Sequence, residues 1–188
     1  MERSDRELVR DSRRGDKEAF RELVERYQRR ITSVALGMVQ NRDDAMELSQ
    51  ETFVKAFENL EKFKGESSFY TWLYRIVVNL AIDARRRDRR RPMVILEDRG
   101  TGDVMDLLPT DERRADPYEQ TKSREIGQRV NEAIDELTPD HKAVIVLREV
   151  EGLSYDDISR VMQCSKGTVM SRLHYARKKL QGKLRDCL

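Results

Sequence analysis

The chain has 188 residues, 38% of them charged and 38% hydrophobic, with 37 Lys and Arg against 35 Asp and Glu. That length suits one compact domain or two small ones. No apolar run approaches a membrane span, nothing resembles a secretory leader, and Cys164 and Cys187 are too few and too far apart for a disulfide framework or a metal knuckle. The expected setting is the cytoplasm, and any core must be built from apolar stripes on helices.

Helical periodicity dominates and strand signals are nearly absent, so the expected fold class is all-α. A short helix is expected over 6–14, stopping at Gly15. Asp16 can cap a longer one with Ala19, Phe20, Leu23, Val24, Tyr27, Ile31, Val34, Ala35 and Met38 on its buried side. Residues 41–43 break it, and a third helix places Ala45, Leu48, Phe53, Ala56, Phe57 and Leu60 inward. Residues 61–68 read as a turn around Gly65. A fourth helix runs from 69 to about 90, with Phe69, Trp72, Leu73, Ile76, Val77, Leu80 and Ala84 on its apolar side. These four helices can bury one core and make a first domain.

Charge is strongly segregated beyond that point. Residues 85–91 carry six Arg against one Asp, whereas 92–119 carry eight Asp or Glu against three Arg. The stretch 92–117 also holds Pro92, Pro109 and Pro117 and loses periodicity, so it reads as an acidic linker. Helical pattern resumes near Tyr118 with Ile126, Val130, Ala133, Ile134 and Leu137. Thr138-Pro139 starts another helix by cap and first-turn proline, closing at Gly152.

The last quarter, 153–180, holds two short helical patterns around a polar break. Ser154 and Asp157 form a cap pair for the first, and Ile158, Val161 and Met162 give it an apolar side. Gln163, Cys164 and Ser165 form the break, with Cys164 a small packing residue and Ser165 a cap. The next helix repeats Val169, Leu173, Ala176 and Leu180 on one stripe, while Lys166, Ser171, Arg172, His174, Arg177 and Lys178 lie opposite. A short helix, a tight turn and a second helix with a cationic free face suit the DNA major groove.

Two further stretches are informative. Residues 63–87 interleave Phe69, Tyr70, Trp72 and Tyr74 with Arg75, Asn79 and the arginine run. Phe69, Trp72 and Ile76 fit a core, while Tyr70, Asn79 and 85–91 lie off the stripe and suit nucleic-acid contact. Residues 43–57 present Asp44, Glu47, Gln50 and Glu51 on one face, and Glu47 and Glu51 repel at four-residue spacing. His141 and His174 have no catalytic partners at a known spacing, and no phosphate loop is present, so neither enzyme chemistry nor a cofactor, metal or small-molecule substrate is expected.

Three motifs together resemble the extracytoplasmic-function (ECF) group of bacterial sigma factors: ELSQETFVKAF at 47–57, KFKGESSFYTWLYRIVVN at 62–79, and SYDDISRVMQCSKGTVMSRLHYARKKL at 154–180. The resemblance covers about 16–184 and implies a sigma-2 domain over 1–91, the linker over 92–117 and a sigma-4 helix-turn-helix domain over 118–188. It implies that Asp44, Glu47, Gln50 and Glu51 dock on core RNA polymerase. The loop at 62–68, with Phe63, Gly65 and Ser67, and Asn79 beyond it, would hold a flipped base of the promoter's minus-ten element. Lys166, Thr168, Ser171, Arg172 and Arg177 would read the minus-thirty-five element. An anti-sigma factor, often membrane-bound in this group, is the implied regulator. Met170 stands where many relatives carry a cation, and Ser165-Lys166 replaces a more apolar pair. The rival reading is an autonomous helix-turn-helix regulator.

Overall fold

A computed structural model describes residues 3–90 and 117–185. Most of the acidic linker, Arg91 and Cys187 lie outside the described residues, and within the arginine run only the side chains of Arg85, Arg86 and Arg87 are described.

Local capping chemistry sets the helix starts. Helix α1 (Asp5–Arg13) begins at Ser4, whose hydroxyl accepts from the Glu7 amide while the Glu7 carboxylate accepts from the Ser4 amide. Asp16 caps α2 (Lys17–Val39) by accepting from the amides of Glu18 and Ala19. That helix ends at Gln40 in the left-handed region, φ 57°. Asn41 caps α3 (Arg42–Glu58), a single 3-10 turn follows at Leu60–Lys62, and α4 spans Phe69–Arg90.

The second half begins with α5 (Pro117–Asp135). Thr138 caps α6 (Pro139–Ile145), and Pro139 loses no bond because a first-turn amide has no helical partner. Here α6 runs on into one π turn, Val146–Val150, before Gly152 turns the chain at φ 67°. Ser154 caps α7 (Tyr155–Met162), Gln163 takes the left-handed conformation, and Ser165 caps α8 (Lys166–Leu184).

The buried stripes follow the periodicity with four corrections. Phe57 is half exposed rather than inward, resting its ring against Phe20 at 4.9 Å on the rim of the α2–α3 pair. Ile126 lies at 36% exposure. Tyr74 and Val78, off the expected stripe of α4, are buried because α4 is covered on a second side. Phe63, expected in a turn, packs among Phe69 and Trp72 at 5.6 and 5.2 Å.

That second covering is the other half of the chain. Helix α4 packs against α6 and α7, and α2 against α6 and the π turn, so a single apolar core runs from Leu8 to Ala176. Where α2 meets the π turn, a Cβ at Gly37 would stand 2.9 Å from both methyls of Val146, so only glycine admits this approach.

One long-range tie holds the 61–68 turn. The Arg13 guanidinium donates to the Leu60 carbonyl at 3.1 and 3.0 Å and also to the Phe63 carbonyl. Arg13→Ala removes charge-assisted donors from carbonyls that water reaches only in part, and the expected loss is about 1–2 kcal/mol of stability in urea unfolding.

Candidate nucleic-acid interface

Helix α8 divides as its stripe requires. Val169, Leu173 and Ala176 are buried, Leu180 is partly covered, and the opposite face is open, with Met170 and Tyr175 more than half exposed. Three of the cations on that face are held by carboxylates of the same half of the chain. Lys166 Nζ lies 2.6 Å from Asp156 Oδ1, Arg172 Nη1 3.5 Å from Asp140 Oδ1, and Arg177 Nη2 2.6 Å from Glu149 Oε1. Arg172 Nη1 also reaches Cys164 Sγ at 3.9 Å, which gives that cysteine a polar neighbour the sequence does not announce. Thr168 and Ser171 sit in the first turns, Thr168 paired with Ser165 at 2.9 Å and Ser171 donating to the Thr168 carbonyl at 3.0 Å. The five minus-thirty-five candidates therefore share one helix, and the acids that hold three of them come from α6, α7 and the π turn.

The loop before α4 borders a cavity of about 430 Å³. Phe63 and Trp72 supply its aromatic wall, Gly65 and Ser67 its rim, and Lys62, Lys64 and Arg75 its cations, with one carboxylate, Glu66, among them and with Arg160 and Gln163 contributed from the helix-turn-helix. Gly65 adopts φ 74°, the left-handed conformation this path requires. The Ser68 hydroxyl accepts from the Thr71 amide at 3.3 Å and pairs with the Thr71 hydroxyl at 2.7 Å, fixing the first turn of α4. Phe63, Gly65 and Ser67 thus come together. Asn79 does not join them: it is exposed on α4, about 15 Å along the helix from Phe69.

The α3 face carries Glu47 and Gln50 in the open and Asp44 and Glu51 half-covered, Glu51 pairing with Lys55 at 3.4 Å. Between them stand Met46 and Val54, each about half exposed, beside a groove walled by Val24, Thr32 and Phe53. Sequence reading found the acids and missed these apolar neighbours. Among the described residues no group of acids, His and Cys has metal-site geometry, and no helix is long and apolar enough to cross a membrane.

The family comparisons agree with this arrangement. Residues 23–91 match Sigma-70 region 2, and residues 127–180 match Sigma-70, region 4. The chain is 41% identical to the ECF RNA polymerase sigma-E factor of Haemophilus influenzae, over 98% of this chain and 97% of that one. It is 38% identical to the RNA polymerase sigma-H factor of Pseudomonas aeruginosa, over 98% and 95%. Among solved structures it is similar to CnrH in complex with the cytosolic domain of CnrY, with a TM-score of 0.69 and 26% identity over 97% of each chain. It is also similar to the sigma factor RpoE crystallised with the anti-sigma factor NepR from Bartonella quintana, with a TM-score of 0.66 and 25% identity over 88% of this chain and 96% of that one.

The chain belongs to the ECF group of the sigma-70 family of RNA polymerase sigma factors. It is an alternative sigma factor: it directs core polymerase to promoters for the start of transcription.

The two faces of α8 separate in stability measurements. Leu173→Ala empties a buried site and is expected to cost about 2–5 kcal/mol in chemical denaturation. Lys178→Ala, on the open face, is expected to leave the midpoint unchanged.

Proposed function

We propose that this sigma factor melts promoter DNA by holding an unpaired base of the minus-ten element at the 62–68 loop, while the α8 face reads the minus-thirty-five element. The observation that carries this reading is the loop cavity. An extruded base needs an aromatic wall, a polar rim and cations for its phosphates, and Phe63, Gly65, Ser67, Lys64 and Arg75 are of those types. Among the described residues neither Lys64 nor Arg75 has an ion-pair partner, so both are available to phosphate. Asn79, farther along α4, meets a different nucleotide with its amide. Phe63 acts as a wall rather than a free stacking ring, because it is only 9% exposed.

On α8, Lys166, Thr168, Ser171, Arg172 and Arg177 supply donors to base edges and phosphates. The Lys166–Asp156 and Arg177–Glu149 pairs are exposed and therefore weak, and the Arg172–Asp140 pair, more covered on the arginine side, is long at 3.5 Å, so phosphate can displace all three acids. Glu149→Gln releases Arg177 and is expected to tighten binding of a minus-thirty-five duplex several-fold, with a steeper salt dependence; unchanged binding would remove Arg177 from the contact set.

The α3 face is the polymerase-docking surface, with Asp44, Glu47, Gln50 and Glu51 for a cationic partner and Met46 and Val54 for an apolar one. Glu47→Lys with Glu51→Lys is expected to weaken core binding without changing helicity, and full-strength pull-down of core polymerase would refute the assignment. The protein works in the cytoplasm, without covalent chemistry of its own. An anti-sigma factor restrains it, as the co-crystallised relatives suggest, and the cytosolic domain of CnrY suggests a membrane-associated one.

The decisive experiment replaces residues 64–67 with an Ala/Ser tract and keeps Phe63, which the core needs. Core binding is expected to persist while open-complex formation on duplex promoter, read by permanganate reactivity of thymines, is lost. A template mismatched across the minus-ten element restores it, because the unpairing cost is then absent. Melting of duplex promoter at the original rate would overturn the base-capture reading.

A further inference from the structure

Helix α8 presents its open face with most of its polar groups already engaged. Lys166, Arg172 and Arg177 are held by Asp156, Asp140 and Glu149. The Thr168 hydroxyl pairs with Ser165, and the Ser171 hydroxyl donates to the Thr168 carbonyl. When the ion pairs exchange, the cations pass to phosphates, and a phosphate carries no sequence. Three large side chains of the face stay outside these pairings: Met170, His174 and Tyr175, all exposed. His174 and Tyr175 pack edge to face with ring centroids 5.7 Å apart, and each keeps polar atoms that serve phosphate and base alike. Met170 has no strong donor or acceptor. It lies in the second turn, within the part of a recognition helix that reaches base edges.

The surroundings of Met170 suit an apolar contact. Its side chain is 55% exposed and shares a recess of about 440 Å³ with Leu173 and with Tyr155 of α7, while Arg177 and Lys178 also line that recess. Lys166 lies one turn before Met170 and Arg177 two turns beyond it on the same row of the helix, so cations bracket the thioether chain. A surface that fits this row offers phosphates at its ends and an apolar group between them. Among the four unmodified bases, only thymine places such a group in the major groove, its 5-methyl. We propose that Met170 is a specificity-determining residue, which reads the 5-methyl group of one thymine in the minus-thirty-five element. The proposal rests on the reading of α8 as the minus-thirty-five helix.

The test uses holoenzyme assembled from core polymerase and the full chain. Wild-type holoenzyme enriches duplexes from a pool randomised across the minus-thirty-five element, with the rest of the promoter fixed. Those duplexes are rebuilt with deoxyuridine in place of thymine, one position at a time, which removes a methyl group and leaves pairing unchanged. At one position the exchange is expected to weaken binding about four-fold, the worth of one buried methyl group. Met170→Ala is expected to bind thymine and deoxyuridine alike there, while Met170→Leu, which keeps an apolar chain, retains the difference. Neither variant is expected to shift the unfolding midpoint, because the side chain is exposed. A wild type indifferent to every deoxyuridine overturns the proposal, and so does a Met170→Ala chain that keeps the wild-type methyl dependence at every position. Lys166→Ala combined with Arg172→Ala and Arg177→Ala separates this failure from that of the underlying reading. If that chain still enriches the same duplexes at full affinity, α8 is not the reading helix, and the minus-thirty-five assignment falls together with the role of Met170. If it loses them and no methyl effect depends on Met170, the role of Met170 alone falls.

Discussion

The buried carboxylate of Glu151 is the interaction around which the two halves are arranged. A carboxylate at 5% exposure is costly unless donors surround it. Tyr74 and Arg30 meet that need only when the sigma-4 half lies on the sigma-2 half. The same contact works on Tyr74: burial first, and then the Glu151 carboxylate, push its hydroxyl well above the ordinary tyrosine range, so it stays a donor at any physiological pH. Asp135 shows the opposite balance. Burial pushes it up, but the hydrogen bond from Arg85 and the charge of Lys142 outweigh that and hold it below the usual carboxylate range. These groups fix the register of the two halves more than they add net stability. Once separated, each meets water and loses little. The apolar core that runs through the same contact supplies the burial energy, and the polar groups set its register.

Legibility in the sequence tracks the range of the interaction. Asp16, Thr138-Pro139, Ser154 and Ser165 could be placed as caps because a cap needs only the next three residues. The α8 stripe of Val169, Leu173 and Ala176 followed from spacing alone. The Ser4–Glu7 capping box was equally local, and its S-x-x-E spacing was a signal that reading passed over. By contrast, nothing near Arg13 announces that it ties down carbonyls at 60 and 63, and nothing near Gly37 announces Val146. Tyr74 looked like one aromatic among several beside Arg75. Its burial depends on a partner 77 residues away. The packing of the halves on each other was invisible for the same reason: each half could be read as a domain with its own stripe.

The candidate site shows the same division. Motif matching put the α8 cations, the 62–68 loop and the α3 acids each on one element, because each group is contiguous. Matching did not show that Asp140, Glu149 and Asp156 already hold Arg172, Arg177 and Lys166. Nor did it show that Met46 and Val54 stand among the α3 acids. The first of these matters for selectivity. If the α8 face reads DNA as proposed, its paired cations give less to any polyanion in passing, since each such phosphate contact must first displace a carboxylate. The two exposed pairs, of Lys166 and Arg177, make that displacement inexpensive, yet it recurs at three positions. The effect weighs most on non-specific binding, where phosphate contacts are nearly all there is, and least where base-edge bonds add to them.

The contacts between the halves set what any partner that rearranges them must supply. Separating α4 from the second half costs the Tyr74–Glu151 hydrogen bond and exposes the apolar contact of Val146 with Gly37. On α8, Lys166 and Arg177 can turn to a new anion only by leaving Asp156 and Glu149. A ligand shifts either arrangement only by its differential affinity for the two states, so binding that leaves these contacts in place shifts nothing.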